Sequence, residues 1–217
     1  MPSLILKATV WLCFSQKVCK FLSYRVIEMK KLKLQVQMTA DGFVCGPKGE
    51  LDWMSFDWGS DITKYVNELT DSVDTILLGR KMTPGFMTYW LQVVSDKNNP
   101  EYAFGIKMID TPKIVFTKTL EKSEWENTKL AKGNINEEIK NLKSQNGKDI
   151  IVYGGASFVS NLIKENLIDE YHLFVNPSVI GSGMKIFGEV NEKKRLKLIK
   201  SIPFGCGIVV HHYQPIK

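Results

Sequence analysis

The sequence predicts an α/β protein with a central, mostly parallel mixed sheet, helices on both faces and an antiparallel edge. The segments 74–78 and 149–153 are short apolar runs of the kind that form strands covered on both faces. Helical patterns such as 61–70 lie between the strand patterns, and this alternation is typical of a layered α/β domain. Two strand patterns at 196–198 and 208–210 predict the antiparallel edge.

The first strand is predicted at 32–38, where Leu32, Leu34, Val36 and Met38 alternate with lysine and glutamine. Strict alternation of this kind predicts a strand with one face buried and the other facing solvent. A turn at 39–42 ends the pattern.

The other elements follow in chain order. The helix at 61–70 is predicted to have Ser60 as its N-cap. The remaining predictions are a β-branched strand at 113–117, an amphipathic helix at 135–145, a helix that includes Phe158, Leu162 and Ile163, and a strand at 171–175.

Length and composition fit one compact domain. The chain has 217 residues, of which 44% are hydrophobic. We expect residues 1–28 to be a poorly ordered extension and residues 29–217 to form the domain, because Met29-Lys30-Lys31 resembles a natural start before the first strand. A transit peptide is the alternative for the extension, and its apolar part is too short to span a membrane.

The charge balance argues against a nucleic-acid partner. The formal charge is +6, but the extension contributes +3 of it through Lys7, Lys17, Lys20 and Arg25 against Glu28. The domain is left with +3, which suits a pocket for an anionic cofactor better than a basic face.

The cysteines and histidines predict neither a disulfide framework nor a metal site. Cys45 and Cys206 are interpreted as buried or half-buried thiols in a reducing cytoplasm, since no Cys-x-x-Cys pair occurs. His172, His211 and His212 lie in strand patterns and are interpreted as structural or surface groups.

Glycines follow two of the predicted inner strands and suggest phosphate binding. After the strand at 149–153, the residues 154–157 read Gly-Gly-Ala-Ser and lead into a helix, whose free N–H groups and dipole favour an anion. After the strand at 74–78 come Gly79, Arg80 and Lys81, and an arginine in such a position suits the 2′-phosphate of NADP. Each segment alone is also compatible with a simple turn or a solvated charge pair. The Gly-x-Gly-x-x-Gly fingerprint is absent, which disfavours a Rossmann domain.

Several motifs in a fixed order resemble the dihydrofolate reductase superfamily. They are Thr-Ala-Asp-Gly at 39–42, Leu-Asp-Trp at 51–53, Leu-Leu-Gly-Arg-Lys-Met-Thr at 77–83, Val-Phe-Thr-Lys-Thr-Leu at 115–120, Val-Tyr-Gly-Gly-Ala-Ser at 152–157, Leu-Ile-Asp-Glu-Tyr at 167–171, Asn-Pro at 176–177 and Ile-Gly-Ser-Gly at 180–183. The branch they resemble most is the reductase domain at the carboxyl end of the riboflavin-biosynthesis deaminase-reductase, in a stand-alone form.

The resemblance implies a three-layer fold with NADPH bound across the carboxyl ends of the strands. The implied cofactor-binding residues are Ala40, Gly79, Arg80, Lys81, Met82, Thr117, Lys118, Gly154, Gly155, Ala156, Ser157 and Phe158. It also implies a cis peptide between Gly154 and Gly155, and a mobile loop that begins at Asp41-Gly42.

The substrate side of the site rests on fewer residues. Trp53, Phe56 and Trp58 are candidates for an aromatic wall under a flat heterocycle, with a role in the core as the alternative. Asp41 and Asp61 are the candidate proton donors, and a helix-terminal role is the alternative for Asp61.

The implied activity is hydride transfer from NADPH to a pteridine-like or pyrimidine-derived substrate, as in aminouracil reductases of riboflavin biosynthesis. True dihydrofolate reductase activity and non-catalytic dinucleotide binding are the alternatives. A small-molecule substrate is the only other partner implied, with no nucleic acid and no membrane. We also expect a homodimer, from the resemblance and from apolar strands at 173–175 and 208–210 that we place at the edge of the sheet.

Overall fold

The computed structural model describes residues 29–55 and 57–216. The predictions for residues 1–28 and for Phe56 therefore lie outside the described residues. The strands are β1 (Leu32–Thr39), β2 (Val73–Gly79), β3 (Lys113–Phe116), β4 (Thr128–Ala131), β5 (Asp149–Gly154), β6 (Glu170–Asn176), β7 (Leu196–Pro203) and β8 (Val209–Pro215). The helices are α1 (Ser60–Asp71), α2 (Thr83–Ser95), α3 (Tyr102–Asp110), α4 (Ile135–Lys143) and α5 (Ala156–Lys164).

The described strands form one sheet in the order β4-β3-β2-β5-β1-β6-β8-β7. Strands β1 to β6 pair in parallel, whereas β8 runs antiparallel to β6 and β7 runs antiparallel to β8. The mostly parallel mixed sheet with an antiparallel edge is thus confirmed. Parallel strands align their carboxyl ends at one side of the sheet, and that side is where loops can form a site.

Helices cover both faces of the sheet, as predicted. On one face, Ile139 of α4 and Leu162 of α5 pack with Leu34 of β1 in the larger apolar cluster. On the other face, Val66 of α1 packs in a cluster with Phe174 of β6. The apolar residues of the central strands are therefore removed from water by both layers, which is the main favourable contribution to folding.

The prediction that β1 buries only one face is wrong. Lys33 and Gln35 on its polar face are buried too, although less completely than the leucines of the opposite face. The ammonium group of Lys33 is tolerated because it lies 2.9 Å from the Asp149 carboxylate and donates a hydrogen bond of 2.8 Å to the Ser72 hydroxyl. A buried charge needs such partners, and they come from parts of the chain remote from β1.

Two local predictions are also corrected. Ser60 is the first helical residue of α1, and Gly59, whose backbone is extended, is the N-cap. The N–H of Ile62 in the first turn donates to the Asp61 carboxylate at 2.8 Å, so Asp61 and not Ser60 satisfies a donor there. The strands at 173–175 and 208–210 are not at the edge, since β6 and β8 each have a neighbour on both sides and β7 forms the edge.

Cys45 and Cys206 are free and half-buried, as predicted. Within the described residues, no helix combines the length and the apolar character needed to cross a membrane.

Candidate functional site

The carboxyl ends of β2, β3 and β5 meet and bring together three of the predicted cofactor segments. Gly79 pairs with Phe116 across β2 and β3, and Leu78 pairs with Gly154 across β2 and β5. The N–H of Arg80 also donates to the carbonyl of Phe116 at 3.3 Å. Arg80 and the Gly154-Gly155 turn therefore lie on one continuous surface.

The Gly154-Gly155 turn needs glycine for two reasons. Its residues have φ angles of 148° and 83°, which side chains rarely adopt. A Cβ on Gly154 would also lie 3.1 Å from the sulfur of Met82, and a Cβ on the neighbouring Gly79 would lie 2.9 Å from that of Phe158. Gly79 and Gly154 are buried, whereas Gly155 is half-buried, so the part of the turn that an anionic group can reach begins at Gly155.

The cis peptide implied between Gly154 and Gly155 is not found, because no described peptide bond is cis. The chain reverses at this point through the two positive φ angles instead, which only glycine reaches without steric cost.

Helix α5 begins directly at this turn. Gly155 is its N-cap and no side chain caps the first turn. The backbone N–H groups of Ala156, Ser157 and Phe158 belong to this turn, and the positive end of the helix dipole lies beside them. Ser157 is exposed, whereas the ring of Phe158 packs against Phe116 with centroids 4.9 Å apart. The start of α5 thus offers donors to an anion while its aromatic side chain packs the helix against the end of β3.

Cations surround the same surface. Arg80 is half-buried, and Lys81 and Lys118 are exposed. Among the described residues none of the three forms an ion pair, so their charges are available to an anionic ligand. The hydroxyl oxygen of Thr117 accepts hydrogen bonds from the N–H of Thr119 and Leu120 at 3.1 and 3.0 Å, and this shapes the turn that carries Lys118.

Met82 lies on the wall of this surface. Its sulfur would lie 3.1 Å from a Cβ placed on Gly154, so the side chain packs over the glycine turn. The residues Gly79, Arg80, Met82, Gly154 and Gly155 are consequently brought together as the sequence predicts.

The end of β1 lies beside a loop that Asp41 anchors. The N–H of Ala40 donates to the carbonyl of Ser178 at 2.8 Å, and the Asp41 carboxylate accepts the N–H of Gly181 at 2.8 Å and that of Ile180 at 3.3 Å. The Thr39 side chain and these N–H groups hold the pKa of the Asp41 carboxyl below its usual value. Asp41 is therefore ionised at neutral pH and connects two loops at this end of the sheet.

Asp61 has a similar environment. Its carboxylate accepts hydrogen bonds from the N–H of Gly205 at 3.0 Å and of Ile62 at 2.8 Å. These bonds lower the pKa of the exposed Asp61 carboxyl. Neither aspartate has the raised pKa expected of a sheltered acid, and their role as proton donors stays a prediction.

The two described tryptophans of the predicted aromatic wall differ in environment. Trp58 stacks on Phe174 with ring centroids 6.5 Å apart, and its indole N–H donates to the carbonyl of Ser55 at 3.0 Å. Trp58 therefore belongs to the apolar cluster under α1. The indole N–H of Trp53 is buried and has no partner among the described residues. Of these two tryptophans, Trp53 is therefore the one whose indole N–H is not already used in a hydrogen bond.

Asn176 is a structural residue of the site that the sequence reasoning assigned no role. It is buried at the end of β6, where its amide nitrogen donates to Gln37 Oε1 at 2.8 Å and its amide oxygen accepts the N–H of Ser55 at 3.4 Å. It thereby attaches the aromatic loop to the sheet. The Asn-Pro sequence after a strand was the available signal.

These features define a protein of the dihydrofolate reductase type of fold. The surface at the carboxyl ends of its parallel strands, formed by Gly79, Arg80, Met82, Gly154, Gly155 and the first turn of α5, is called the groove below. Similarity to known proteins agrees with this class. The chain belongs to the RibD C-terminal domain family, whose model matches residues 30–210.

One relative and two solved structures illustrate the likeness. The chain is 33% identical over 192 residues to the uncharacterized protein YyaP of Bacillus subtilis, covering 86% of this chain and 97% of that protein. It superimposes on the diaminohydroxyphosphoribosylaminopyrimidine deaminase/5-amino-6-(5-phosphoribosylamino)uracil reductase of Thermotoga maritima with a TM-score of 0.62, 17% identity, and coverage of 90% of this chain and 59% of that one. For the dihydrofolate reductase of Enterococcus faecalis, complexed with NADP(H), the TM-score is 0.57, with 14% identity and coverage of 86% and 97%.

Proposed function

We propose that the protein is an NADPH-dependent reductase that acts on a pteridine-like or pyrimidine-derived heterocycle. The observation that carries the proposal is the groove, where the ends of β2, β3 and β5 bring the glycine turn and several cations together. These cations have no partner among the described residues. The family supports it, and the superimposed Enterococcus faecalis enzyme is itself complexed with NADP(H).

The groove fits the phosphates of such a cofactor. A diphosphate would lie against Gly154, Gly155 and the first turn of α5, where backbone N–H groups and the helix dipole favour negative charge. Arg80 and Lys118 would bind the additional 2′-phosphate, which distinguishes NADPH from NADH. When bound, the cofactor would supply a hydride to an electron-poor C=N or C=O carbon, and one proton would complete the reduction.

The chain's own residues would bind and orient the substrate. Once substrate binding uncovers it, the buried indole N–H of Trp53 would donate to a carbonyl oxygen or ring nitrogen of the heterocycle. Asp41 holds the loop at 180–181 against the end of β1, where the loop would exclude water from the reacting atoms. For Asp41 or Asp61 to deliver the proton, substrate binding would have to raise its pKa.

A cofactor titration with a matched pair of arginine variants tests the proposal. NADPH fluorescence should show saturable binding to the wild type. Arg80→Ala should weaken NADPH binding at least tenfold and NADH binding far less, since it removes a group predicted to contact only the 2′-phosphate. Arg195→Ala removes the same side chain near the other end of the sheet and should have no effect. Absence of saturable binding at millimolar NADPH would overturn the proposal.

Turnover assays separate the possible substrates. Oxidation of NADPH should be measured with an aminouracil, with dihydrofolate and with simple carbonyl compounds. Preference for the aminouracil or another pyrimidine-derived compound supports the proposal, and preference for dihydrofolate identifies a dihydrofolate reductase. Tight NADPH binding without turnover of any of these compounds would instead indicate a dinucleotide-binding protein.

A further inference from the structure

A second cluster of polar side chains lies away from the groove, under helix α1. Glu170 and His172 alternate along β6 and so face the same side, and His212 of β8 is the cross-strand partner of His172. The two imidazole rings stack with centroids 4.3 Å apart. Glu170 Oε2 lies 3.6 Å from Nε2 of His172 and 3.7 Å from Nε2 of His212.

Both of these nitrogens are buried without a hydrogen-bond partner among the described residues. The side chains of Glu170, His172 and His212 are only 9%, 6% and 18% exposed. A distance of 3.6 Å is too long for a hydrogen bond to the carboxylate, so the cluster has unused polar atoms in a place where they cost free energy. A bound ion would remove that cost.

We propose that Glu170, His172 and His212 bind a divalent transition metal ion of the zinc class. Two imidazoles and one carboxylate form a typical zinc ligand set that keeps a fourth position open for water. Metal–ligand bonds of about 2.0–2.2 Å place the ligand atoms of a tetrahedral site roughly 3.3 Å apart. The three candidate atoms lie within 4.8 Å of one another, so small side-chain rotations, largest for the stacked imidazoles, would complete the site.

The groups around the cluster favour the ligand forms that a metal needs. The Tyr65 hydroxyl lies 2.7 Å from Nδ1 of His172. In the tautomer in which Nδ1–H donates a hydrogen bond to this hydroxyl oxygen, the lone pair of Nε2 faces Glu170 and can bind a metal. Lys31 contacts the other oxygen of Glu170, Oε1, at 2.9 Å and leaves Oε2 facing the imidazoles.

The position of the cluster separates the proposed ion from the groove. Glu170 is the first residue of β6, whereas Asn176, beside the groove, is the last. At about 3.3 Å per residue the two ends of this strand are roughly 20 Å apart. The ion would tie β6 to β8 beneath Tyr65 of α1 and would not contact the cofactor. The inference is independent of the proposed reductase function, and it runs against the sequence prediction of no metal site.

A metal titration of the full-length chain tests the inference. Metal-stripped protein is titrated with Co²⁺ and then with Zn²⁺ in competition with a chromophoric chelator. We expect one ion per chain, with cobalt absorption bands in the visible region that report nitrogen and oxygen ligands. His212→Asn and Glu170→Gln should each weaken binding at least tenfold. Zn²⁺ should also raise the melting temperature of the wild type by mass action.

His211→Asn is the matched control, because His211 lies next to His212 on the opposite face of β8 and contacts Ser201. It should bind metal as the wild type does. Far-UV circular dichroism establishes that each variant is folded, and the wild-type cobalt spectrum decides the question if His212→Asn or Glu170→Gln does not fold. Absence of saturable binding, a thiolate-to-cobalt charge-transfer band, or equal affinity of wild type and folded His212→Asn would overturn the inference.

Discussion

At the scale of single residues, the Asp41 carboxylate connects stability to pH. Its pKa in the folded chain lies below the usual 3.8 because the carboxylate accepts hydrogen bonds from the Thr39 side chain and from backbone N–H groups. A depressed pKa stabilises the fold above the unfolded pKa, and this contribution is lost as pH falls through the folded value. Thermal melts of Asp41→Asn should therefore depend less on pH below about 4 than those of the wild type. Asp52→Asn, at an exposed carboxylate that forms no hydrogen bond with the described residues, is the control and should melt in parallel with the wild type. An unchanged acid limb for Asp41→Asn would contradict the prediction.

Trp58 and Trp53 should respond differently to substitution because only Trp58 stacks in the core. Trp58→Ala removes the contact with Phe174 and should lower the free energy of unfolding by about 2 kcal/mol, less than for a fully buried aromatic residue. Trp53→Phe keeps a six-membered aromatic ring and removes the smaller ring of the indole with its unpartnered N–H, so its cost at this half-buried position should stay below about 1 kcal/mol. Urea denaturation measures both values. Equal losses would mean that Trp58 is not the core residue of the pair.

At the scale of elements, the turn between β5 and α5 should not tolerate a side chain. Gly155→Ala adds a Cβ at a φ of 83°, which strains the turn, and places a methyl group between the two strand ends, so it should reduce NADPH affinity at least tenfold. Gly49→Ala is the matched control, since Gly49 has a φ of 93° with open space around it. Both variants should lose about 1 kcal/mol of stability, but only Gly155→Ala should lose cofactor affinity in the fluorescence titration. Equal affinities would place the cofactor elsewhere.

The elements that the sequence predicts well are those whose own residues determine them. Strands β2 and β5 are continuous apolar runs, and their glycine ends are visible in the sequence. Helix α3 was missed because Gly105 interrupts its pattern. A Cβ there would lie 2.9 Å from methyl groups of Val93 and Val94, so the glycine serves close packing of α2 against α3. The reason for a glycine at position 105 is therefore visible only in the packing of the two helices.

The candidate site was predictable for the same reason, and only in part. Gly79, Arg80, Gly154 and Gly155 stand directly after apolar strands, so parallel pairing alone brings them together. The partners of polar residues could not be predicted. The bonds from the Asp41 carboxylate to the loop at 180–181 and the unused nitrogens of the histidine pair depend on contacts between distant segments.

At the scale of the whole molecule, the antiparallel edge of the sheet supports the expected homodimer, but through β7 and not through the strands at 173–175 and 208–210. Strand β7 has no partner on its outer side among the described residues, and its Leu198 and Ile199 are 51% and 43% exposed. An apolar edge of this kind invites pairing, and a symmetric contact between two β7 strands would close it. Light scattering should therefore give twice the 24.7 kDa of one chain.

A charge on this edge should separate the two chains. Leu198→Glu places two carboxylates in the proposed contact and should shift the particle towards 24.7 kDa without lowering the melting temperature of the isolated chain. Val179→Glu alters an apolar residue that is 73% exposed in the loop after β6 and should leave the mass unchanged. A wild-type particle of 24.7 kDa would refute the dimer. A dimer that persists in Leu198→Glu would place the contact on another surface, because burying unpaired carboxylates at β7 is costly.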